Sequence, residues 1–320
     1  MNEVLIVGAA IVDILLQPVD ASVFQRNSVA ARQTAMTTGG DAMNEAIVLS
    51  RLGHPPAVAT LLGRDDTAAY ILEKMRAHGI TPLISTRDGI HTSFNVVLVE
   101  PNGERHFITD PAGSMRRLAL RDLENLEQTP QWRQAKVFSL ASVFVSTDLG
   151  PEDTAALLKR AKDAGKRVCM DTTVPKHGET ARDIADALRE TDFFFPNRTE
   201  AEALTSLSDP RDAARALLDE GVGCVLLKTG SQGCLAATQK EIVRVPAWPD
   251  TRVTDSTGAG DTFAAAFISG LLEGLTPVQC AAKANAAASI CAEHLGATSA
   301  DIDPLELQVR AKHILARCEG

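Results

Sequence analysis

The stretch 253–263 places two glycines and a carboxylate directly before an apolar helix pattern. Gly258 and Gly260 allow a tight turn in which successive backbone N–H groups converge on one point, as anion sites require. The helix is expected to begin near Asp261, so its positive dipole end faces the same point. The carboxylate of Asp261 would repel a phosphate that is merely bound at this point. It is better suited to act as a base that takes a proton from an attacking hydroxyl. The pattern indicates phosphoryl transfer; the alternative is an ordinary turn before a capped helix.

A second glycine-containing stretch, 38–46, also precedes a helix pattern. Asp41 is predicted to cap that helix. Gly39 and Gly40 expose backbone groups, and Asn44, one turn into the helix, offers both a donor and an acceptor. This helix start is therefore suited to a polyhydroxylated ligand.

Asp13 is an acidic residue flanked by apolar residues in the sequence, and it follows a buried strand pattern at 4–8 by a few residues. One interpretation is a loop aspartate that accepts hydrogen bonds from backbone amides. The other is a residue that binds a substrate hydroxyl. The residues alone leave both open.

Two further polar segments follow predicted strands. Asn197 and Glu200 lie one helical turn apart, as a ligand pair or as a capping arrangement for the next helix. The loop 228–233, which contains Lys228, Gly230 and Gly233, could line a nucleotide. It is not a P-loop, because the spacing GxxxxGK[ST] does not occur in the chain.

The elements that must position these residues alternate between strand and helix, which is typical of a doubly wound α/β sheet with ligands at the carboxyl ends of its strands. Strand patterns occur at 4–8, 57–62, 136–141, 167–171, 192–195 and 224–228, and helix patterns at 67–78, 151–164, 180–190, 199–204 and 210–220. Strand patterns at 93–100 and 104–109 flank the turn 101–103 and predict a hairpin. Together, residues 10–36 and 92–110 are expected to form a small β-sheet lid over a cleft.

Composition narrows the function further. The 320 residues carry a formal net charge of −9, which argues against a nucleic-acid partner. The six cysteines show no CxxC pairing, as expected for reduced thiols in the cytoplasm. The N-terminus has no basic signal region and no apolar run reaches membrane-spanning length, so no membrane partner is expected.

Taken together, these stretches resemble the PfkB family of carbohydrate kinases, which have the ribokinase-like fold. The similarity runs through nearly the whole chain in order; it involves Gly8 and Asp13, Gly39, Gly40 and Asn44, the pair Asn197 and Glu200, the loop 228–233, residues 255–261 and Asn285. The stretches 8–19 and 35–46 are most similar to YdjH-type sugar kinases. The resemblance implies one kinase domain over 1–320: a doubly wound, mostly parallel sheet flanked by helices, with a small β-sheet lid.

The resemblance also implies roles for individual residues in an ATP- and Mg²⁺-dependent reaction. Asp261 would be the catalytic base, and the amides of Gly258, Ala259 and Gly260 the anion hole. Acceptor-binding positions would be Asp13, Gly39, Gly40 and Asn44. Asn197 and Glu200 would organise the ATP phosphates and Mg²⁺, Glu200 acting through water, while Lys228, Gly230, Gly233 and Asn285 would line the nucleotide. Asp255 and Thr257 match the K⁺-binding loop of some members.

Several departures from the family leave the acceptor open. The chain has Asp-Thr-Thr-Val-Pro at 171–175 where several sugar-acid and fructose kinases carry Asp-x-Asn-x-Arg, and the segment 140–142 lacks the acidic residue of ribokinase-type members. We expect a kinase of a free sugar or sugar-like polyol that pairs as a homodimer through its lid. The alternatives are a nucleoside kinase of the same fold and a non-catalytic ligand-sensing homologue.

Overall fold

A computed structural model describes residues 2–100 and 105–318, so the turn predicted at 101–103 lies outside the described residues. The described chain forms thirteen strands: β1 (Val4–Gly8), β2 (Ile11–Gln17), β3 (Gln33–Gly39), β4 (Ala57–Leu62), β5 (Thr81–Thr86), β6 (Phe94–Val99), β7 (Arg105–Thr109), β8 (Val137–Val143), β9 (Arg167–Thr172), β10 (Phe193–Phe194), β11 (Cys224–Lys228), β12 (Cys234–Ala237) and β13 (Ile242–Val245).

Nine of these strands form the large sheet, in the order β13-β12-β11-β10-β9-β8-β1-β4-β5. The seven strands from β11 to β5 run parallel, and β12 and β13 add an antiparallel edge. Parallel neighbours need crossover connections, and the helices supply them. The carboxyl ends of β9, β10 and β11 therefore lie side by side at one edge of the sheet.

Strand β1 shows why both faces of the large sheet are covered. Its five residues are all buried, and Val4 and Ile6 belong to one hydrophobic core while Leu5 and Val7 belong to the other. Successive strand side chains point to opposite faces, so a continuous apolar run fits a strand with a core on each side.

The helices are α1 (Asp41–Arg51), α2 (Asp66–Ala77), α3 (Ser114–Arg117), α4 (Pro130–Gln134), α5 (Pro151–Asp163), α6 (Ala185–Arg189), α7 (Arg198–Thr205), α8 (Pro210–Asp219), α9 (Ala259–Leu272), α10 (Pro277–Ala292) and α11 (Pro304–Leu315). Helix α9 is buried along its whole middle, from Thr262 to Leu271. It packs against α1 and α10 in one core. The start of α9 is thereby held rigidly beside the start of α1.

The remaining four strands form a separate sheet, β3-β2-β6-β7, which we call the small sheet. Strand β2 pairs antiparallel with β3 and parallel with β6, and β6 pairs antiparallel with β7. The small sheet thus lies in the two segments that the sequence predicts as a lid, except that β3 continues past residue 36 to Gly39.

Two local predictions are wrong. The helix predicted over 180–190 is confined to α6, because the N–H and hydroxyl of Thr180 both donate to Asp183 Oδ2 at 2.7 Å and replace the first helical turn. Asp41 does not cap α1; Gly40 is the N-cap residue, with φ of 89°, and has no side chain to make a capping hydrogen bond. Asp41 is instead the first helical residue.

Candidate active site

A cavity of about 550 Å³ opens at the carboxyl edge of β9, β10 and β11. Its walls include Asp171 at the end of β9, Asn197 after β10, and Lys228 at the end of β11. The start of α9 closes it with Ala259, Gly260 and Asp261. Both the position at the strand ends and the volume are typical of ligand sites in α/β proteins.

The turn that starts α9 leaves N–H groups available for an anion. Gly258 has φ of 76°, and a Cβ added there would lie 2.6 Å from atoms of Ala297, so only glycine fits. The N–H of Ala259 donates to Ser256 O at 3.2 Å, whereas those of Gly260 and Asp261 have no acceptor among the described residues. With the helix dipole, these two groups make the turn suited to phosphate.

Asp261 connects this turn to the first helix of the chain. Its Oδ2 accepts a hydrogen bond of 2.7 Å from Asn44 Nδ2, across 217 residues of sequence. Removal from solvent raises the pKa of Asp261 well above its usual range, and the nearby carboxylate of Asp41 adds to this shift. A carboxylate with a raised pKa is a stronger base, which suits proton abstraction from a hydroxyl.

A second group of polar residues lies outside the walls of the cavity, partly on the small sheet and, with Asn44, on α1. Asp13 is a strand residue of β2, not a loop residue, and its Oδ1 accepts from Asn95 Nδ2 at 3.0 Å. A Cβ on Gly39 would lie 2.2 Å from Asp13 Oδ2, so this glycine makes room for the carboxylate. The side-chain oxygens of Asn44 and Asn95 are buried without a hydrogen-bond partner among the described residues.

These orphaned oxygens indicate what the second cluster can bind. Buried acceptors normally have partners, and Asn44 and Asn95 each present one free. Together with Asp13, whose pKa burial raises, they form a group of acceptors suited to hydroxyl donors. Asn95 is a site candidate that sequence reasoning missed; only its register opposite Asp13 on β6 reveals it.

Carboxylates surround a single lysine in the cavity wall. Lys228 Nζ lies 3.1 Å from both carboxylate oxygens of Asp171. Burial raises the pKa of Glu200 to about 7, while the Lys228 charge opposes that shift. Asp41 also lines the cavity. The local sequence does not identify Asp41 or Asp171 as site residues; only the position of Asp171 at a strand end indicates it.

Asn197 and Glu200 cap the first turn of α7, as one of the two interpretations of the sequence expected, and they also line the cavity. Asn197 Oδ1 accepts from the Glu200 N–H at 3.0 Å, and Glu200 Oε2 accepts from the Asn197 N–H at 2.7 Å. This reciprocal pair fixes the first turn of α7. The remaining carboxylate oxygen of Glu200 is available to a ligand. Within the described residues, no group of three or more His, Cys, Asp or Glu side chains is arranged to hold a metal ion by itself.

The far wall of the cavity contains Gly230, Gly233, Asn285 and Trp248. Asn285 Nδ2 donates to the carbonyls of Val245 at 3.0 Å and Pro246 at 3.1 Å. Asn285 therefore anchors the segment that carries Trp248 against α10. An aromatic ring and glycine backbone beside polar groups fit a flat heterocycle.

Asp255 and Thr257, the residues predicted to bind K⁺, lie just before the turn that starts α9 and do not line the cavity. Asp255 Oδ1 accepts from the N–H of Thr257 at 3.0 Å and from its hydroxyl at 2.7 Å. Asp255 Oδ2 accepts from the Gly296 N–H at 2.6 Å and from Arg105 at 2.5 Å. Both oxygens of this carboxylate are thus engaged within the protein.

Comparison with known proteins identifies the family. The sequence pattern described as pfkB family carbohydrate kinase matches residues 1–303. The chain belongs to the pfkB family of carbohydrate kinases. It is 29% identical over 250 residues to an uncharacterized sugar kinase of Archaeoglobus fulgidus, covering 78% of this chain and 96% of that one.

Solved structures confirm the predicted ribokinase-like fold for this pfkB chain. Arabidopsis thaliana ribokinase, complexed with ribose and ATP, has a TM-score of 0.79 at 25% identity and covers 98% of this chain and 99% of its own. A protein of Escherichia coli in complex with ATP and Mg²⁺ has the same fold, with a TM-score of 0.79 at 21% identity over 98% of this chain and 100% of its own. Among the described residues of the pfkB chain, no helix combines the length and apolarity needed to cross a bilayer.

Proposed function

We propose that this pfkB-family chain transfers the γ-phosphoryl group of ATP to a hydroxyl of a free sugar or sugar-like polyol. The observation that carries the proposal is the Asn44–Asp261 hydrogen bond of 2.7 Å. It joins α1, whose start follows Gly39 and Gly40, to the turn with free N–H groups at the start of α9. A base positioned between an acceptor site and an anion site is what a phosphotransferase needs.

Asp261 takes the proton of the acceptor hydroxyl as its oxygen attacks the γ-phosphorus. The new P–O bond forms while the bond from phosphorus to the bridging oxygen of ADP breaks, and the electron pair leaves on ADP. The free N–H groups of Gly260 and Asp261 stabilise the charge on the transferred phosphoryl oxygens, whereas the Ala259 N–H, expected in the anion hole, already donates to Ser256 O. Asp13, Gly39, Gly40 and Asn44 hold the acceptor, and Lys228, Gly230, Gly233 and Asn285 line the nucleotide.

The donor set of the cavity fits Mg²⁺ bound together with ATP. Mg²⁺ commonly keeps several waters and is held by one or two carboxylates plus substrate phosphates, not by a cage of protein ligands. Glu200 supplies such a carboxylate through water, oriented by Asn197. Mg²⁺ supplies neutralisation of phosphate charge when it is bound. Asp41 and Asp171 add a negative field that favours the cation, which Lys228 and, at Asp41, Lys176 offset in part.

The acceptor cluster favours a neutral polyol over an anionic substrate. Its charged member is the carboxylate Asp13, and its free groups are the carbonyl oxygens of Asn44 and Asn95. Hydroxyl groups donate to such oxygens, whereas a carboxylate or phosphate on the substrate would be repelled.

A coupled ADP-release screen tests the proposed function, using Mg-ATP and K⁺ against sugars, sugar acids, sugar phosphates, polyols and nucleosides. Trp248 provides a separate measure of ATP binding, because it lines the cavity while the other tryptophan, Trp132, is buried in the opposite core against Phe138. Turnover with a neutral sugar or polyol supports the proposal. Turnover confined to nucleosides would replace it with a nucleoside kinase, and Trp248 quenching by ATP without any turnover would favour a sensing protein.

A substitution at Gly260 should affect ligand binding without impairing folding. A Cβ added there would meet only Lys228 Nζ, at 3.5 Å, so the protein itself leaves that space open. We expect Gly260→Ala to keep or slightly raise thermal stability, since alanine favours helices by roughly 0.5–1 kcal/mol over glycine. ATP affinity, measured by Trp248 fluorescence, should fall about tenfold because the methyl group overpacks the phosphate position.

The matched control for this variant is Gly270→Ala in the same helix. A Cβ at Gly270 would lie 2.9 Å from Cys280 Sγ, away from the cavity. This control should lose stability and retain ATP affinity. Unchanged ATP affinity in Gly260→Ala would remove the phosphate site from the start of α9.

The small sheet is proposed to act as the lid and to pair two copies of the chain. Large apolar side chains are exposed on one face of it, namely Met36, Phe94 and Ile108, whereas the exposed Phe107 lies on the opposite face, with Asp13 and Asn95. Such a patch marks an interaction surface, and a second copy covers it with the same side chains. Sedimentation should show a dimer that Ile108→Asp dissociates. The control Leu305→Asp changes an exposed leucine on α11 and should leave the dimer intact; a monomeric wild type contradicts the pairing.

A reducing compartment, the cytoplasm, is proposed for this chain. All six cysteines are free thiols, and five of them are buried. No disulfide therefore contributes to the stability of the fold, as is usual for cytoplasmic proteins.

A further inference from the structure

Arg105 is the one residue of β7 whose side chain turns away from solvent. The four residues after it in this edge strand are exposed, while its own side chain is 12% exposed. Its Nη2 donates to Asp255 Oδ2 at 2.5 Å and its Nη1 to Thr257 Oγ1 at 3.0 Å. The Asp255 side chain is only 7% exposed, so this ion pair is shielded from water. Arg105 thus joins the small sheet to the residues that the family resemblance assigns to K⁺.

The residues present do not fit a bound monovalent cation in addition to Arg105. Each oxygen of Asp255 already accepts two hydrogen bonds, and the Thr257 hydroxyl donates to Asp255 while accepting from Arg105. Moreover, the guanidinium already supplies the positive charge that this carboxylate needs. A K⁺ ion there would have to displace Arg105 or bind beside a like charge.

The Arg105 contact lies where it can fix the anion-binding turn. Thr257 is the residue before Gly258, and the Gly296 N–H that Asp255 accepts belongs to the segment against which Gly258 packs. The Arg105 charge also lowers the pKa of Asp13, which burial otherwise raises. One guanidinium therefore acts on both the anion-binding turn and the acceptor-binding strand.

We propose that Arg105 is an internal cation that takes the place of K⁺, holding the turn at Gly258 in shape and coupling it to the small sheet. This inference deepens the proposed kinase function and rests on it. Arg105 is a positioning residue, since it touches the turn and not the reacting atoms. The expected consequence is phosphotransfer that does not depend on a monovalent cation.

The first test compares ADP release in KCl and in choline chloride at equal ionic strength. Wild-type turnover should differ by less than about twofold, because no K⁺ site contributes free energy. Arg105→Met should lower kcat/KM by roughly 10- to 100-fold, as expected when hydrogen bonds to a charged group are lost. Part of that loss should be restored by KCl or guanidinium chloride, and Arg105→Lys should be intermediate.

Matched controls and a second measurement make the result independent of the acceptor. Arg32→Met removes an exposed arginine beside β3 and should change nothing. Hydrogen exchange of β6 and β7 should accelerate in Arg105→Met and not in Arg32→Met, and the melting temperature of the wild type should be equal in the two salts. These readings need no substrate, so they stand even if the kinase proposal fails.

Two outcomes would overturn the inference. One is strong activation of the wild type by KCl together with a higher melting temperature in KCl. The other is an Arg105→Met protein with full activity in choline chloride. If Arg105→Met does not fold, Arg105→Lys and the wild-type comparison decide the question.

Discussion

Replacing Asp261 with Asn should lower the turnover number by about 10²- to 10⁴-fold, the usual contribution of a positioned general base. Asparagine keeps the shape of the side chain and can still accept the hydrogen bond from Asn44 Nδ2, but it cannot take the proton of the acceptor hydroxyl. Trp248 fluorescence should show ATP affinity close to that of the wild type. A variant with near-normal turnover would exclude Asp261 as the base.

The same substitution should raise thermal stability at alkaline pH. Burial and the Asp41 charge raise the folded-state pKa of Asp261, so its charged form costs stability at any pH above that value. Asparagine removes the cost, and the melting temperature should rise by about 2 °C for each kcal/mol gained. The gain should shrink as the pH falls and Asp261 takes up a proton. The raised pKa also affects activity: in the wild type, the decrease of kcat/KM toward acid pH should begin well above pH 4, the usual aspartate range.

Asp66→Asn provides the control for helix electrostatics. Asp66 also lies in the first turn of its helix, α2, but it is exposed and does not line the cavity. If Asp261 served only as a dipole partner, both substitutions would lower stability slightly, by about 0.3–1 kcal/mol. We expect that small loss for Asp66→Asn, with no change in turnover, and the opposite sign of stability change for Asp261→Asn.

The sequence predicts the central architecture of this molecule well, because local patterns determine it. Strand β1 is an apolar run buried on both faces, and β11 begins and ends at the predicted residues 224 and 228. The start of α9 follows from two glycines and the apolar period after them. These features depend on neighbours in sequence, which a pattern records.

Residues whose role depends on distant contacts escaped prediction. Asn95 is recognisable only from its register opposite Asp13, and Arg105 only from its contact with Asp255, 150 residues away. Aspartate is a residue type that commonly caps helices, but Gly40 is the N-cap residue of α1 and Asp41 lines the cavity. In each case, the tertiary fold and not the local sequence decides what the side chain meets.

Lys228 is the residue on which the charge balance of the cavity depends. Its side chain is 16% exposed and its partner Asp171 9%, and the carboxylates of Glu200 and Asp261 also act on it. Breaking a buried ion pair by removing one partner costs about 3–5 kcal/mol, because the other charge stays buried without compensation. Lys228→Met should lose that much free energy of unfolding in urea titrations at pH 8. At lower pH the loss should be smaller, since Asp171 can then take up a proton.

A double variant separates the structural effect of this pair from its effect on the nucleotide. Lys228→Met combined with Asp171→Leu removes both charges and should recover most of the lost stability, because apolar replacement of a buried pair is often neutral. ATP affinity should stay low in the double variant, since the cation that meets the phosphates is still missing. Recovered ATP affinity would mean that Lys228 serves only to neutralise Asp171.

The half-exposed pair of Lys162 and Asp192 supplies the matched control. Lys162 Nζ lies 2.6 Å from Asp192 Oδ1, but the two side chains are 37% and 30% exposed. Pairs in contact with solvent contribute about 0–1 kcal/mol, so Lys162→Met should have little effect on stability and none on ATP affinity. If Lys228→Met costs no more than this control, the Lys228 charge is not needed to compensate the buried carboxylates. The negative field of the cavity carboxylates, which we propose attracts Mg²⁺, would then be too weak to favour the cation.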